Sequence, residues 1–260
     1  MTNPISVRRD GAVLEITLDR PKANAIDAPT SRLLGDQFMA FRDDPSLRVA
    51  ILTGAGDRFF SAGWDLNAAA EGEEYESDYG PGGFGGFGEL PDLNKPVILA
   101  INGLAVGGGF EMTMAADFVV AAEHAEFFLP ETSIGIIPDV GTVRLPRLLP
   151  HQLAMELLLT GRRCGAVEAL RHGFVNRVVP ANELMPAART LAADIVAKAP
   201  LAVAAILDLV RRTRSLPVAD AFALMRSGTV DLYEAMLVSE DAAEGPLAFT
   251  EKRPPKWQGT

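Results

Sequence analysis

The chain has 260 residues, a formal net charge of −10 and a pI near 4.8. A chain of this length can bury a core without disulfides or metals, and its acidic balance argues against a nucleic-acid partner. The single cysteine, Cys164, cannot form an intrachain disulfide, so a cytoplasmic location is expected. No secretory pattern opens the chain and no apolar run approaches the ~20 residues that span a bilayer, so no membrane partner is expected.

The first 180 residues alternate between strand and helix patterns. Two period-2 runs joined by a short Asp-Gly turn predict an N-terminal β-hairpin. Residues 27–43 then change to helical spacing. Apolar runs at 49–53 and 96–101 that end near glycine are typical of buried parallel strands, and 118–128 predicts a further strand pair. This order indicates an α/β fold.

The C-terminal part of the sequence has a different pattern, which is almost wholly helical. Helices are predicted at 183–199, 200–214, 217–237 and 239–252. We therefore predict an α/β core over residues 1–182 and a helical C-terminal region over residues 183–260.

Residues 71–88 are acidic and then glycine-rich, so they cannot supply a face of the core. The segment predicts either a flexible surface linker or a mobile loop beside a binding site, because long loops in compact domains are often functional. Composition favours neither interpretation over the other.

Several common catalytic motifs are absent from the sequence. It has no GxxxxGK(S/T) phosphate loop and no GxGxxG dinucleotide pattern, and Ser61 lies outside a GxSxG turn. The three histidines are dispersed and the one cysteine is distant from them, so no metal site is predicted.

Two glycine-bearing turns follow predicted buried strands. One is the stretch FFSAGWDL at 59–66, and the other is the triple glycine at 107–109, which opens a predicted helix. Consecutive glycines at a helix start leave backbone N–H groups unshielded, which suits a developing oxyanion. Close packing of strand against helix would favour the same glycines.

Two glutamates follow apolar stretches of the sequence. Glu111 comes directly after the triple glycine among apolar neighbours, and Glu131 follows the apolar run 127–129. Glu111 could compensate the helix dipole or act as an acid or base. Burial raises the pKa of a carboxyl group toward neutrality, where it can both take and give a proton. Two such groups could serve one substrate, one handling a C–H proton and the other a water molecule.

These features, taken in order, resemble the enoyl-CoA hydratase/isomerase (crotonase) superfamily. The matching stretches are EITLDRPKANAID, FSAGWDL, KPVILAINGLAVGGGFE, LPETSIGIIPDVGTVRLPR, TGRRCGAVEALRHGFVNRVV and EGPLAFTEKRPPKW. The resemblance implies a crotonase-like spiral of ββα units with a helical C-terminal trimerisation region, assembled as a trimer or hexamer. It also implies a hydro-lyase that hydrates an α,β-unsaturated acyl-CoA through an enolate. Coenzyme A would be part of the substrate, with no separate cofactor.

The resemblance further implies roles for individual residues. The implied catalytic set is Glu111, Glu131 and the oxyanion-hole N–H groups of Ala62 and Gly108. The implied coenzyme A contacts are Lys22, Ala23, Ala25, Asp65 and Leu66, together with Phe249 and Lys252, which would reach the coenzyme A of a neighbouring subunit.

Two residues point to a specialised substrate. Asp139 stands where straight-chain hydratases of the superfamily carry glycine, so it could move the water, add a third acid/base group or merely make a local turn hydrogen bond. Trp64 could bind a trimethylammonium group by a cation–π contact if its ring faces the acyl pocket, or it could pack only on the glycine-rich loop. The alternative within the superfamily is a general enoyl-CoA hydratase or an isomerase. A catalytically idle scaffold or an RNA-binding member of the family is disfavoured by the acidic pI and the complete glutamate pair.

Overall fold

The computed structural model describes residues 3–260 and divides the chain into two compact units. The first unit comprises the chain up to Leu93 together with Val97–Ala192, and the second comprises Asn94–Pro96 and Ala193–Thr260. The sheets lie in the first unit, and the second is helical.

Two sheets form the centre of the first unit. Their strands are β1 (Ile5–Asp10), β2 (Val13–Leu18), β3 (Val49–Gly54), β4 (Phe59–Ser61), β5 (Val97–Ile101), β6 (Leu104–Val106), β7 (Phe118–Ala122), β8 (Glu126–Phe128), β9 (Cys164–Gly165) and β10 (Arg177–Val179). The larger sheet has the order β1-β2-β3-β5-β7-β10, and the smaller has the order β4-β6-β8-β9. Neighbouring strands are parallel except in the pairs β1–β2 and β8–β9.

Helices connect and follow these strands. They are α1 (Ala28–Asp43), α2 (Leu66–Ala70), α3 (Gly108–Thr113), α4 (Asp139–Leu148), α5 (His151–Thr160), α6 (Ala166–His172), α7 (Leu184–Val196), α8 (Pro200–Thr213), α9 (Val218–Met225), α10 (Asp231–Leu237) and α11 (Glu240–Glu251). Short 3-10 turns cover Phe84–Gly86, Glu131–Ile134 and Ala181–Glu183.

The first unit repeats one arrangement three times. In each repeat a strand of the larger sheet is followed by a strand of the smaller sheet and then by a helix or helical turn: β3-β4-α2, β5-β6-α3, and β7-β8 with the turn Glu131–Ile134. This is the spiral of ββα units expected from the sequence, and that prediction is confirmed. Because β4, β6 and β8 are parallel neighbours, their carboxyl ends lie at one edge. The segments that leave this edge are the two glycine turns and the chain before Glu131.

The central strands of the larger sheet are completely buried, which accounts for their apolar sequences. Every residue of β3 and β5 is buried, as the uninterrupted apolar runs predicted. The rings of Phe110, Phe127 and Phe174 form a cluster with centroids 5.4–5.5 Å apart. Phe110 precedes Glu111, so this cluster anchors the short helix that carries the glutamate.

The local structure departs from the predicted elements in one helix. The predicted helix 217–237 is two helices, because α9 ends at Met225 and α10 begins only at Asp231. Gly228 between them has a φ of +73°, which no right-handed helix accommodates. The predicted helix 27–43 is confirmed as α1, and the Asp27 side chain caps it by accepting a hydrogen bond from Thr30 N–H.

Within residues 3–260 no single helix is long and apolar enough to cross a membrane. The segments Ala181–Val196 and Pro200–Thr213, which meet at a bend of 103°, are together long and apolar enough by length and composition alone.

Candidate active site

A cavity of about 320 Å³ lies at the shared edge of β4, β6 and β8. Its lining contains the sequence-predicted residues Ala25, Ala62, Trp64, Asp65, Leu66, Gly108, Glu111, Glu131 and Asp139. The spiral therefore gathers residues that are far apart in sequence into one site. Lys22 and Ala23 do not line this cavity, and the Lys22 side chain is exposed. Phe249 and Lys252 belong to the second unit.

Glu111 is buried on α3, with 6% of its surface exposed. One carboxylate oxygen accepts a 2.6 Å hydrogen bond from the N–H of Gly141, in the first turn of α4. Burial raises the pKa of Glu111 to about 8, because the charged form loses its hydration; the Gly141 N–H opposes the rise, and the charges of Asp139 and Glu131 add to it. A carboxyl group with this pKa can exchange a proton at neutral pH.

Glu131 is also buried, with 7% of its surface exposed. Its Oε2 atom has no hydrogen-bond partner among residues 3–260, although the atom is inaccessible to solvent. Its Oε1 atom packs against Gly107, where a Cβ atom would lie only 2.5 Å away. The pKa of Glu131 is raised to about 7, mainly by burial and to a smaller extent by the charge of Asp139, while a backbone hydrogen bond at Glu131 opposes the rise. An unpartnered buried carboxylate oxygen is uncommon in a folded protein, and the Glu131 residue that carries it is part of the cavity lining.

These pKa values give the stability a definite pH dependence. Both carboxyl groups bind a proton more tightly in the folded protein than in the unfolded chain, where the pKa is near 4.5. The folded state therefore holds extra protons between the two values, and the free energy of unfolding falls as pH rises from 4.5 to about 8.

We expect Glu111→Gln to melt above the wild type by about 5 °C at about pH 8.5, because the variant has no charge to bury. The difference should shrink toward zero as pH falls to about 4.5, where both states are protonated. Thermal melts across this range check the prediction, with the exposed Glu71→Gln as control. A difference that does not vary with pH would contradict it.

The backbone before α2 differs from the prediction made for Ala62. The Ala62 N–H donates to the carbonyl oxygen of Ala23 at 2.9 Å, so it is already engaged. The pairing of these two segments continues at Ile26. Its N–H donates to the carbonyl oxygen of Gly63, and its carbonyl oxygen accepts from the N–H of Asp65. Gly63 has a φ of +77°, which breaks the strand alternation at this point. As a result, the N–H of Trp64 meets no hydrogen-bond acceptor in the described part of the chain.

The two glycine turns are in direct contact. A Cβ atom on Gly63 would lie 2.7 Å from Val106 O and 2.8 Å from Gly108 N. The N–H of Gly108, like that of Trp64, has no acceptor within residues 3–260. The site therefore offers two free backbone donors beside the glutamates, from Gly108 as predicted and from Trp64 in place of Ala62. Such a pair suits an oxygen on which negative charge develops.

Aromatic rings form another wall of the cavity. Trp64 and Tyr75 meet edge to face with centroids 5.3 Å apart, and Tyr79 meets Phe84 in the same way at 5.4 Å. Tyr75 donates its hydroxyl hydrogen to Ile137 O at 2.7 Å. Tyr75, Tyr79 and Phe84 come from the acidic and glycine-rich segment 71–88, so this segment lies beside the cavity. The expectation that it supplies no part of the core is wrong, because Phe87 is buried in the core against Phe38.

Asp65 has a mainly structural environment within the site. It caps α2 by accepting from Asn67 N–H at 3.0 Å, and it pairs with Arg20 at 2.9 Å. Arg20 also pairs with Asp27 at 2.7 Å and donates to Ala25 O. Arg20 thus braces the segment that pairs with Gly63, and it holds the turn that carries the free Trp64 N–H.

Asp139 makes a local hydrogen bond and also lines the cavity, while its acid/base role stays a prediction. It is the first residue of α4 and its side chain accepts a local hydrogen bond from Val140 N–H at 2.7 Å. It also lines the cavity with Glu111 and Glu131, and together with Glu111 it lines a second cavity of about 300 Å³. Within residues 3–260, no group of three or more His, Cys, Asp or Glu side chains is arranged to hold a metal ion.

Known proteins are similar to this chain in both sequence and fold. Residues 8–260 match the enoyl-CoA hydratase/isomerase family. The carnitinyl-CoA dehydratases of Salmonella arizonae and Escherichia coli K12 are each 58% identical over 260 residues, the full length of both chains. The enoyl-CoA hydratase of Mycobacterium tuberculosis superposes with a TM-score of 0.89 at 38% identity over 99% of each chain. That of Bacillus anthracis gives 0.89 at 35% identity over 99% of this chain and all of its own.

A ββα spiral that sets two buried carboxyl groups beside two free backbone donors is the framework of an acid–base enzyme that stabilises an oxyanion. The chain belongs to the enoyl-CoA hydratase/isomerase family. It is a hydro-lyase, and its substrate is a coenzyme A thioester.

Proposed function

We propose that the enzyme reversibly interconverts carnitinyl-CoA and crotonobetainyl-CoA by removing and adding water. The observation that carries this proposal is the composition of one cavity. The glutamate pair, the residues Gly108 and Trp64 with their free N–H groups, and four aromatic rings all line this cavity. The full-length relatives named carnitinyl-CoA dehydratase support the same substrate.

The backbone donors bind the thioester carbonyl oxygen. As water adds to the β-carbon, negative charge moves onto this oxygen, and the N–H groups of Gly108 and Trp64 stabilise it as an enolate. Each well-placed donor contributes about 3 kcal/mol to lowering the barrier. Ala62 forms part of the pocket wall and keeps its N–H on Ala23.

The glutamates carry the two proton transfers. In hydration, Glu111 takes a proton from the water that attacks the β-carbon, and Glu131 gives its proton to the α-carbon. In dehydration, Glu131 removes the α-proton and Glu111 protonates the leaving hydroxyl group. Burial raises the pKa of both carboxyl groups toward neutrality, so each can take or give a proton near neutral pH. These steps need no cofactor besides the coenzyme A of the substrate.

The aromatic wall binds the cationic end of the acyl group. A trimethylammonium group is attracted to the faces of Trp and Tyr rings, by about 0.5–2 kcal/mol per contact. The carboxylate of Asp139 in the same cavity adds favourable charge.

We expect the wild-type enzyme to hydrate crotonobetainyl-CoA with a kcat/KM about tenfold above that for crotonyl-CoA, since the latter lacks the cation. The rate is followed by ultraviolet loss of the enoyl thioester band, and mass spectrometry confirms the gain of water. Preference for crotonyl-CoA would identify a general enoyl-CoA hydratase, and double-bond migration without gain of water would identify an isomerase.

The second unit supports a proposed assembly as a trimer or hexamer. Phe249 is 84% exposed on α11, and other apolar side chains of this unit are also exposed, namely Ile206, Val210, Val218 and Val238. In such an assembly Phe249 and Lys252 contact the coenzyme A of a neighbouring subunit. Light scattering distinguishes the two assemblies, and cell fractionation tests the cytoplasmic location that we propose for the enzyme.

A further inference from the structure

Glu73 differs from the other glutamates of the acidic stretch 71–76 because its side chain points toward the protein interior. Glu71, Glu74 and Glu76 are exposed, whereas Glu73 is half-buried. Its Oε1 accepts from the indole N–H of Trp64 at 2.9 Å. Its Oε2 accepts from the backbone N–H of Ala28, the first residue of α1, at 3.0 Å. Both oxygens are therefore held, and the carboxylate has one orientation.

This contact determines how Trp64 faces the cavity. The indole N–H is tied to Glu73 at one edge of the ring, and Tyr75 packs against the ring at a centroid distance of 5.3 Å. Glu73 itself does not line the cavity, whereas Trp64 and Tyr75 do. Glu73 thus acts on a ligand through the ring that it positions.

The charge of the acceptor also changes the ring. A hydrogen bond from the indole N–H to a carboxylate is charge-assisted, and it shifts electron density from the N–H bond into the π system. A more negative π face attracts a cation more strongly, while its contact with an uncharged group of the same shape is unaffected. The arrangement therefore favours a cationic acyl group over a neutral one of equal size.

We propose that Glu73 is a positioning residue that makes the enzyme selective for acyl-CoA thioesters bearing a quaternary ammonium group, by fixing and polarising the Trp64 indole. This inference rests on the proposed function, because it requires the cationic acyl group to occupy the same cavity. It adds a residue outside the cavity, from the segment 71–88, in which the sequence singled out no individual residue.

The test compares two substrates of one shape. One is crotonobetainyl-CoA, and the other is its neutral isostere, in which a tert-butyl group replaces the trimethylammonium group. We expect Glu73→Gln to lower kcat/KM for the cationic substrate about fivefold, mainly through KM, and to change that for the isostere less than about twofold. The matched control is Glu74→Gln, which removes the same charge from the exposed neighbour and should leave the ratio of the two substrates unchanged.

A double-mutant cycle shows whether Glu73 acts through the indole. In a Trp64→Leu background, Glu73→Gln should no longer change the ratio of the two kcat/KM values. A further loss of cation preference in that background would mean that Glu73 attracts the cation directly, and it would overturn the inference.

The remaining outcomes separate this inference from the proposed function. One such outcome is a wild type that prefers the cationic substrate while Glu73→Gln lowers kcat/KM equally for both substrates. In that case Glu73 has only a structural role, and the inference fails while the proposed function stands. If the wild type does not hydrate crotonobetainyl-CoA, the proposed function fails and the inference fails with it. Equal melting temperatures of Glu73→Gln and Glu74→Gln show that the comparison is between folded enzymes.

Discussion

Replacing Glu111 with glutamine is expected to lower kcat for hydration about 10³-fold, within the range that general acid–base catalysis contributes. Glutamine has nearly the same shape and can still accept the hydrogen bond from Gly141 N–H, so the site should keep its geometry. It cannot take a proton from water, however, and that transfer is lost. The effect should therefore appear in kcat, with little change in the binding of a coenzyme A product.

Glu131→Gln should lower kcat for hydration by a similar factor, because no other buried group donates a proton to the α-carbon in the proposed scheme. Initial rates of loss of the enoyl band measure both variants. The control is Glu123→Gln, an exposed glutamate between β7 and β8 that leaves the cavity intact. If both active-site variants keep activity within about tenfold of the wild type, the acid–base assignment is wrong.

Gly63→Ala is expected to lower kcat by about 10²- to 10³-fold, the loss associated with disturbing one oxyanion donor. The new methyl group would lie 2.8 Å from Gly108 N and 2.7 Å from Val106 O, both backbone atoms that cannot move independently. The two turns must therefore separate, and the N–H groups of Gly108 and Trp64 lose their common target. The variant also places alanine at a φ of +77°, which costs about 1–2 kcal/mol of stability.

Gly56→Ala separates the backbone strain from the loss of the donors. Gly56 has a φ of +82°, and a Cβ atom there meets nothing within 4 Å. Its substitution should cost similar stability but leave kcat close to that of the wild type. Thermal melts and initial rates of both variants give the comparison. Equal activity of the two variants would show that the contact between the turns does not set the geometry of the donors.

The elements that sequence reasoning located correctly are those that local pattern determines. Continuous apolar runs identified β3 and β5, and the change to helical spacing at residues 27–43 identified α1. The glutamate pair was also recognisable, because a carboxylate among apolar residues is unusual in a core. Glu111 and Glu131 do line one cavity.

The features that could not be predicted depend on one dihedral angle or on distant contacts. The positive φ of Gly63 decides that Trp64, rather than Ala62, presents a free N–H, and glycine by itself permits either sign of φ. The inward faces of Tyr75, Tyr79 and Phe84 come from an irregular segment with no period to read. Glu73 could not be told from its acidic neighbours until its contact with Trp64 was visible.

The threefold ββα repeat separates two tasks that many enzymes combine in one loop. The groups that move protons lie just after β6 and β8, where the short connections Gly107–Glu111 and 129–131 leave little freedom. The aromatic rings that line the cavity come mostly from the long excursion between α2 and β5, which contributes no strand to either sheet. In the proposed function, this excursion therefore sets which acyl groups are accepted, while the segments after β6 and β8 carry the proton transfers.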